Sequence, residues 1–428
     1  MRFAEAIAQL DARQPEHMPQ PDLKRIVEVV NYLDHPELTY PAIHITGTNG
    51  KSTTARVVTE LACAHGLPTG LFTSPHLASV TERFRICDLD MREEEFAEEW
   101  GRLVPYLELV DGAGHGPVTY FEAVTALAFL WFADKPVGVG VFEVGMGGTW
   151  DATNVVEGDV AVICEIALDH PELGSTVAEV ASEKAGIIKA GKTAVVREQA
   201  PEAMAVIEER ADEVGATLLV EERDWSLEER LGAVGGQALR VRGLHATYDD
   251  LFLPLYGVYA AQNAAAGIVA VEVLLGHELD EADTRDALAA VRSPGRLELA
   301  GRSPTILLDG AHNPAGAEAL VEALAESFRW QRLHLVVAVS ANKDIEGIVE
   351  ALASVADEAY VTRNDSVRSA EPSVVAELVG ARGVPVEVFG SVAAALDAAR
   401  PTAEPGDLIL VTGSLYTVAD ARRALRSA

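Results

Sequence analysis

The sequence predicts an α/β fold in two domains: a parallel-sheet domain entered through a phosphate-binding loop, then a Rossmann-like, doubly wound domain without a dinucleotide fingerprint. Three observations predict it. Short β-rich runs alternate with helical stretches from Ala42 to about Val291, the rhythm of a parallel sheet with helices on both faces. The rhythm resumes, cleaner, after the turn-forming segment Arg292-Ser293-Pro294-Gly295-Arg296. A glycine-lysine turn from Gly47 to Thr53 stands between an apolar run and a helical one. A chain of 428 residues exceeds one ordinary core, and the linker divides it into domains of residues 1–293 and 294–428.

Composition narrows the class. Hydrophobic residues make up 49% and charged residues 23%, with no low-complexity tract or solenoid repeat, so a soluble globular protein is expected. A formal charge of -32 argues against a nucleic-acid partner, because affinity for phosphate backbones comes from clustered Lys and Arg. Cys63, Cys87 and Cys164 are isolated and odd in number, which predicts neither a disulfide nor a zinc site and fits a reducing cytoplasm. The N-terminal MRFAEAIAQLDARQ is amphipathic rather than a signal peptide, and no apolar run is expected to span a membrane. Small-molecule substrates and a monomer are the expectation.

In chain order, the first domain places strands at AIHIT, VGVGVFEVG, DVAVICEIAL and TAVV. Shorter alternating segments from Ala238 to Leu255 suggest an antiparallel excursion. The second domain places strands near TILLD, LHLVVAV, EAYVT, VEVF and DLILVTG, with helices opening near Pro314, Ile345, Pro372, Ser391 and Thr417. Proline in a first turn and Asn313 as a cap support two of these starts. No G-x-G-x-x-G occurs in that domain, so a dinucleotide is not indicated.

The loop carries the clearest chemistry. The strand Ala42 to Ile45 runs into a glycine turn and then a helix beginning near Ser52, the setting a phosphate loop requires. Gly47 and Gly50 let backbone N–H groups curl around phosphate oxygens, Lys51 supplies a mobile cation, and the hydroxyl of Ser52 or Thr53 can meet Mg²⁺. The spacing departs from G-x-x-x-x-G-K-[ST], because the position five before Gly50 is Ile45. Gly47, Thr48, Asn49, Gly50, Lys51, Ser52 and Thr53 are therefore the candidates to hold ATP. Glu143 ends an apolar strand, where a hard oxygen ligand can reach Mg²⁺. Ser74 and His170 follow other strand ends, so the three can converge at the carboxyl edge of one sheet. Lys184 has apolar neighbours, Val180, Ala181, Ala185 and Ile187, that suggest a partly buried helix end and a lowered pKa. Its residues alone read more simply as a Glu183–Lys184 surface pair.

GTNGKST is followed in order by TSPHL (Thr73 to Leu77) with ERFRI, TYFE (Thr119 to Glu122), FEVGMGGTWDATN (Phe142 to Asn154), LDHPELGSTVAEVASEKAGIIKAG (Leu168 to Gly191), PGRLE and LDGAHNP (Leu308 to Pro314). This set resembles the Mur ligase superfamily, and within it the folate-pathway branch of folylpolyglutamate and dihydrofolate synthases, over nearly the whole chain. The resemblance implies an ATP-dependent amide ligase that phosphorylates a folate carboxylate and joins it to L-glutamate. It implies metal ligation of two Mg²⁺ ions by Ser74, Glu143, His170 and a carbamylated Lys184. It also implies ATP contacts from Asn263, Arg296 and Asp309, and catalytic work by Lys51, His170, Lys184 and His312. Folate candidates by resemblance are Asp22, Leu23, Lys24 and Arg25, then Thr119, Tyr120, Phe121 and Glu122, then Trp150, Asp151 and Ala152; Phe121 and Trp150 read equally as core residues.

Four departures fall mostly on recognition. The family's GTNGKGS is GTNGKST here, its GGRLDATN is GGTWDATN with Thr149 and Trp150, its G-x-H-Q is Gly257-Val258-Tyr259-Ala260, and its D-K-D is Asn342-Lys343-Asp344. Two alternatives stand beside the folate ligase: a ligase of the same mechanism for another carboxylate and amine, and a nucleotide-gated binding protein.

Overall fold

The computed structural model describes residues 1–16 and 21–427. The apolar runs of the first half form strands β1 (Ala42–Thr46), β2 (Thr69–Phe72), β3 (Phe84–Ile86), β4 (Leu89–Asp90), β5 (Val139–Glu143), β6 (Val160–Ile163), β7 (Thr193–Val196) and β8 (Thr217–Val220). They make one sheet in the order β4-β3-β2-β5-β1-β6-β7-β8. It is parallel apart from the β3 and β4 edge, which returns antiparallel on β2. Every residue of β1 and β5 is buried, as expected of strands covered on both faces. Alternation sorts the side chains of β6. Val160 and Val162 join the core under helices Lys51–Ala64 and Val258–Leu275, while Ala161 and Ile163 join the one under Val177–Ala185 and Pro201–Val214.

An antiparallel sheet follows, β9 (Ser226–Ala233), β10 (Gly236–Arg242) and β11 (Thr247–Leu253), in the order β11-β10-β9. The expected excursion is present but begins twelve residues earlier, at Ser226 rather than Ala238, because most of β9 is polar and exposed and carries little apolar alternation. Helix Val258–Leu275 corrects another expectation: its 18 residues are long and apolar enough to cross a membrane by length and composition. It lies in the first core, 67% buried, with Glu272 accepting the Tyr248 hydroxyl at 2.8 Å. Its apolarity is that of a core helix.

The third sheet contains β12 (Glu298–Arg302), β13 (Thr305–Leu308), β14 (Leu333–Val337), β15 (Glu358–Val361), β16 (Val386–Val388) and β17 (Leu408–Thr412), in the order β12-β13-β17-β14-β15-β16. Only β12 runs antiparallel. Helices Pro314–Ser327, Ile345–Ala353 and Pro372–Ala381 start where expected, Val392–Thr402 is capped by Ser391, and the last begins at Leu415, two residues before Thr417. Asn313 caps the first of them, accepting the Gly316 N–H at 2.7 Å.

The cysteine expectation is overturned. Cys63 and Cys87 form a disulfide with Cα atoms 5.8 Å apart, and Cys164 is the free, buried thiol. The antiparallel return of β3 along β2 carries Cys87 back beside Thr69, next to the end of helix Lys51–Ala64, a proximity that a 24-residue separation does not reveal.

Candidate active site

The loop after β1 is held from outside before any ligand is considered. Thr46 Oγ1 donates to the Gly147 carbonyl at 2.8 Å, the Thr48 N–H to the Glu165 carbonyl at 2.7 Å, and Thr48 Oγ1 to the Ala167 carbonyl at 2.7 Å. Two positions require glycine. A Cβ on Gly47 would sit 2.6 Å from that of Cys164, and Gly50, at φ +91°, would place one 2.6 Å from Asn263 Nδ2. The helix begins at Lys51, whose Nζ donates back to the Gly47 and Thr48 carbonyls at 3.0 and 3.3 Å. Backbone N–H groups and a flexible cation thus frame one concavity, the arrangement that receives phosphate.

Parallel pairing sets Ile45 of β1 level with Glu143 of β5, so the carboxylate stands beside the loop. Ser52 Oγ donates to Glu143 Oε1 at 2.6 Å and the Ser74 N–H to Oε2 at 3.2 Å. Thr53 instead pairs with Ser293 Oγ at 3.0 Å in the linker, so of the two hydroxyls it is Ser52 that faces the carboxylate. Burial raises the pKa of Glu143, opposed by Lys51 and by these hydrogen bonds. Among the described residues no three His, Cys, Asp or Glu side chains cluster as a metal site. One buried carboxylate beside a hydroxyl and a phosphate loop nevertheless fits Mg²⁺, which binds through one or two carboxylates and substrate phosphates.

Lys184 is only 3% exposed, which rules out the surface pair with Glu183. Its Nζ donates to the Gly47 carbonyl at 2.8 Å, and burial first, with the Lys51 charge second, brings its pKa down to about 7. His170 lies across the same space; burial and the charge of Lys343 lower its pKa to about 3, leaving a neutral imidazole. Beside His170 is a contact that the sequence does not reveal. Asp169 accepts Lys343 Nζ at 2.6 Å, a pair spanning the two large sheets with both side chains 7% exposed, and His312 Nε2 is 3.6 Å from the same carboxylate. Burial opposes ionisation of Asp169, but His312, Lys343 and His170 hold its carboxyl well below the usual range. Asn342-Lys343-Asp344 stands out in the sequence only as a departure from a motif, and nothing in its spacing points to Asp169.

Asp309 follows β13 and accepts the N–H groups of Leu297 and Ala311 at 2.8 Å each, and burial raises its pKa while Arg296 opposes. Asn263 packs under Gly50 and accepts Arg197 Nη1 at 3.1 Å; Arg197, also missed, is buried between Asn263, Gln262 and Glu221. Asn49 accepts Asn313 Nδ2 at 3.2 Å, tying the loop to the opposite half.

These groups enclose a cavity of about 300 Å³ whose wall includes Lys51, Glu143, His170, Asn263, Arg296 and His312. Thr48, Asn49, Gly50, Ser52, Thr53, Ser74 and Asp309 also reach it, whereas Gly47 and Lys184, joined by the Nζ–carbonyl bond, do not line it. Of the folate candidates, Thr119, Phe121, Glu122, Trp150, Asp151 and Ala152 line it. Asp22, Leu23, Lys24, Arg25 and Tyr120 are not among its lining residues. Arg25 is engaged elsewhere, Nε lying 3.0 Å from both Glu122 carboxylate oxygens, and Lys24 is a solvated partner of Asp22. Asp151 is already used as a cap, accepting the Met146 and Thr153 N–H groups at 3.0 Å. Thr149 donates to the Glu183 carbonyl at 3.0 Å, so that departure is absorbed in packing.

Comparison with known proteins shows the family. Residues 45–271 match the Mur ligase middle domain and residues 295–415 the glutamate ligase domain of Mur ligases. A Mycobacterium tuberculosis dihydrofolate synthase/folylpolyglutamate synthase is 40% identical, with 96% of this chain and 92% of that protein covered. The counterpart from Bacillus subtilis is 32% identical with 95% of each covered. The structure of the M. tuberculosis folylpolyglutamate synthase complexed with ADP superposes with a TM-score of 0.95 at 38% identity, covering 99% of this chain and 98% of that one.

Proposed function

This chain belongs to the Mur ligase family and is an ATP-dependent ligase of the folylpolyglutamate/dihydrofolate synthase kind, and we propose that its cavity joins L-glutamate to a pterin-bearing acid through an acyl phosphate. The observation that carries the reading is the convergence of loop, Glu143, His170, Arg296 and His312 on one space between two parallel sheets.

The reaction has two balanced steps. A carboxylate oxygen of the acid displaces ADP from the γ-phosphorus, giving the acyl phosphate. The glutamate amine then attacks the acyl carbon, a proton leaves the nitrogen, and the C–O bond to phosphate breaks. Lys51 is free to leave the Gly47 and Thr48 carbonyls for phosphate oxygens, and Arg296 offers a second cation from the opposite half. Asn263, fixed by Arg197, supports the loop and the nucleotide beyond it. Ser52, Ser74, Glu143 and His170 would hold Mg²⁺, which when bound offsets charge on the transferring phosphoryl group. Asp169 orients His312 and His170 toward the acid. The Lys343–Asp169 pair closes the halves so that water is excluded from the acyl phosphate. The boundary between the two functional halves is read at Ser293/Pro294, and the Ser293–Thr53 bond, which ties the linker back to the loop helix, supports that reading.

Lys184 completes the proposal. Its pKa near 7 leaves much of the amine neutral at physiological pH, so it can add to CO₂, release a proton and become a carbamate, an anionic oxygen ligand for a second Mg²⁺. Lys184→Ala should lose activity and recover it with short-chain carboxylates; undiminished activity in the variant would refute this role. The overall reading is tested by ADP release from the purified protein with each acid. Turnover requiring both a pteroate-type acid and L-glutamate supports it, and turnover indifferent to either removes it.

A further inference from the structure

A second cavity, of about 230 Å³, adjoins the first and shares Ser52, Pro75, Arg296 and Leu415 with it. Five arginines line it, Arg56, Arg85, Arg292, Arg296 and Arg422, against two acids, Glu82 and Asp90, in a chain whose net charge is -32. They come from separate places: the helix after the phosphate loop, β3, the linker and the C-terminal helix. Such convergence of like charge is unfavourable unless a guest offsets it.

The local partners offset it only in part. Among the described residues, the guanidinium groups of Arg56 and Arg296 make no hydrogen bond or ion pair within 4 Å, while Arg85 pairs with Glu60 at 3.5 Å through Nη2 and its Nε is buried without a hydrogen-bond partner. Arg292 spends one nitrogen on the Ala289 and Val291 carbonyls, and Arg422 has Glu298 at 3.3 Å. Glu82 is committed to the Leu77, Ala78 and Ser79 N–H groups at 2.9, 3.0 and 3.2 Å, and Asp90 stands 4.0 Å from Arg85. Burial and the neighbouring Arg85 both disfavour the charge on Arg56.

We propose that this cavity holds the free carboxylates of a glutamyl tail on the acid substrate. The inference rests on the ligase reading, in which every cycle adds a carboxylate to a chain whose reacting end lies in the first cavity. A guest of that kind must fold away beside the reacting end, and carboxylates spaced along it match guanidinium groups presented from several elements. Elsewhere the acidic surface repels such a tail. Orthophosphate leaving the same centre shares this chemistry, and the assay separates the two.

The test compares KM for tetrahydropteroyl mono- and triglutamate in the full chain and in Arg422→Gln and Arg56→Gln. Neither residue belongs to the catalytic set, and Arg422 is partly exposed, so its replacement leaves the core unchanged. For each variant KM should rise about tenfold for the triglutamate, as loss of one charge-assisted hydrogen bond predicts, with the monoglutamate and ATP constants unchanged. An equal rise for both acids, or none, overturns the proposal. So does a change confined to product inhibition by orthophosphate, which assigns the cavity to phosphate. Absence of acid- and glutamate-dependent turnover in the unmodified chain fails the ligase reading instead.

Discussion

Replacing Gly50 by alanine perturbs the loop at its tightest point. At φ +91° and ψ -17° an L side chain costs about 1–2 kcal/mol relative to glycine. The new Cβ would also lie 2.6 Å from Asn263 Nδ2, and Asn263 is buried and pinned by Arg197 at 3.1 Å. Moving the amide gives up that charge-assisted bond, worth roughly 1.5 kcal/mol. Together the loop loses about 3 kcal/mol of preference for its present shape, which corresponds to roughly 100-fold weaker nucleotide binding. Titration calorimetry with ADP measures it directly. Adding Asn263→Ala removes the obstruction but not the backbone strain, so the two substitutions should be less than additive. Gly50→Ala binding ADP within about threefold of the unmodified chain would refute the argument.

Two further predictions follow from buried charge. Lys343→Met leaves Asp169 buried without its cation and should destabilise the chain by about 3 kcal/mol in urea unfolding, part of which Asp169→Asn in the same chain restores; an effect below about 0.5 kcal/mol would make the pair incidental. His44 is fully buried against Thr153 Oγ1 at 2.8 Å, and burial, then the Lys189 charge, lowers its pKa from 6.5 to about 3. The unfolded chain therefore takes up this proton below about pH 6.5 while the folded one does not, so stability is full above that pH and falls as pH drops toward 3. At pH 5 the loss is about 2 kcal/mol, and His44→Gln should flatten the slope between pH 7 and 5.

What could be read from the sequence was whatever local pattern determines. Strand runs flanked by turns gave the two parallel sheets, and the strand, glycine turn and helix around Lys51 gave the loop. Glu143 could be placed because a strand end beside that loop has few other positions. Pairings between distant segments were not legible. Nothing near Cys63 announces Cys87, because the antiparallel return of β3 brings them together. The Asp169–Lys343 pair spans 174 residues, and Arg197 reaches Asn263 across 66. Lys184 reads locally either as half of a surface pair with Glu183 or, from its apolar neighbours, as a partly buried helix end, and the contact of its Nζ with the loop carbonyl of Gly47 decides for burial. Arg25, a folate candidate by resemblance, pairs with Glu122 across 97 residues, a contact that no local motif shows.

The central claim, amide ligation through an acyl phosphate, is tested most directly by isotope transfer. The acid substrate is labelled with ¹⁸O in its reacting carboxylate and turned over with ATP and L-glutamate, and the inorganic phosphate is analysed by mass spectrometry. One ¹⁸O per phosphate released is the result predicted, because the carboxylate oxygen that attacks phosphorus leaves with it. Phosphate free of label, with labelled amide formed at the usual rate, would contradict the mechanism.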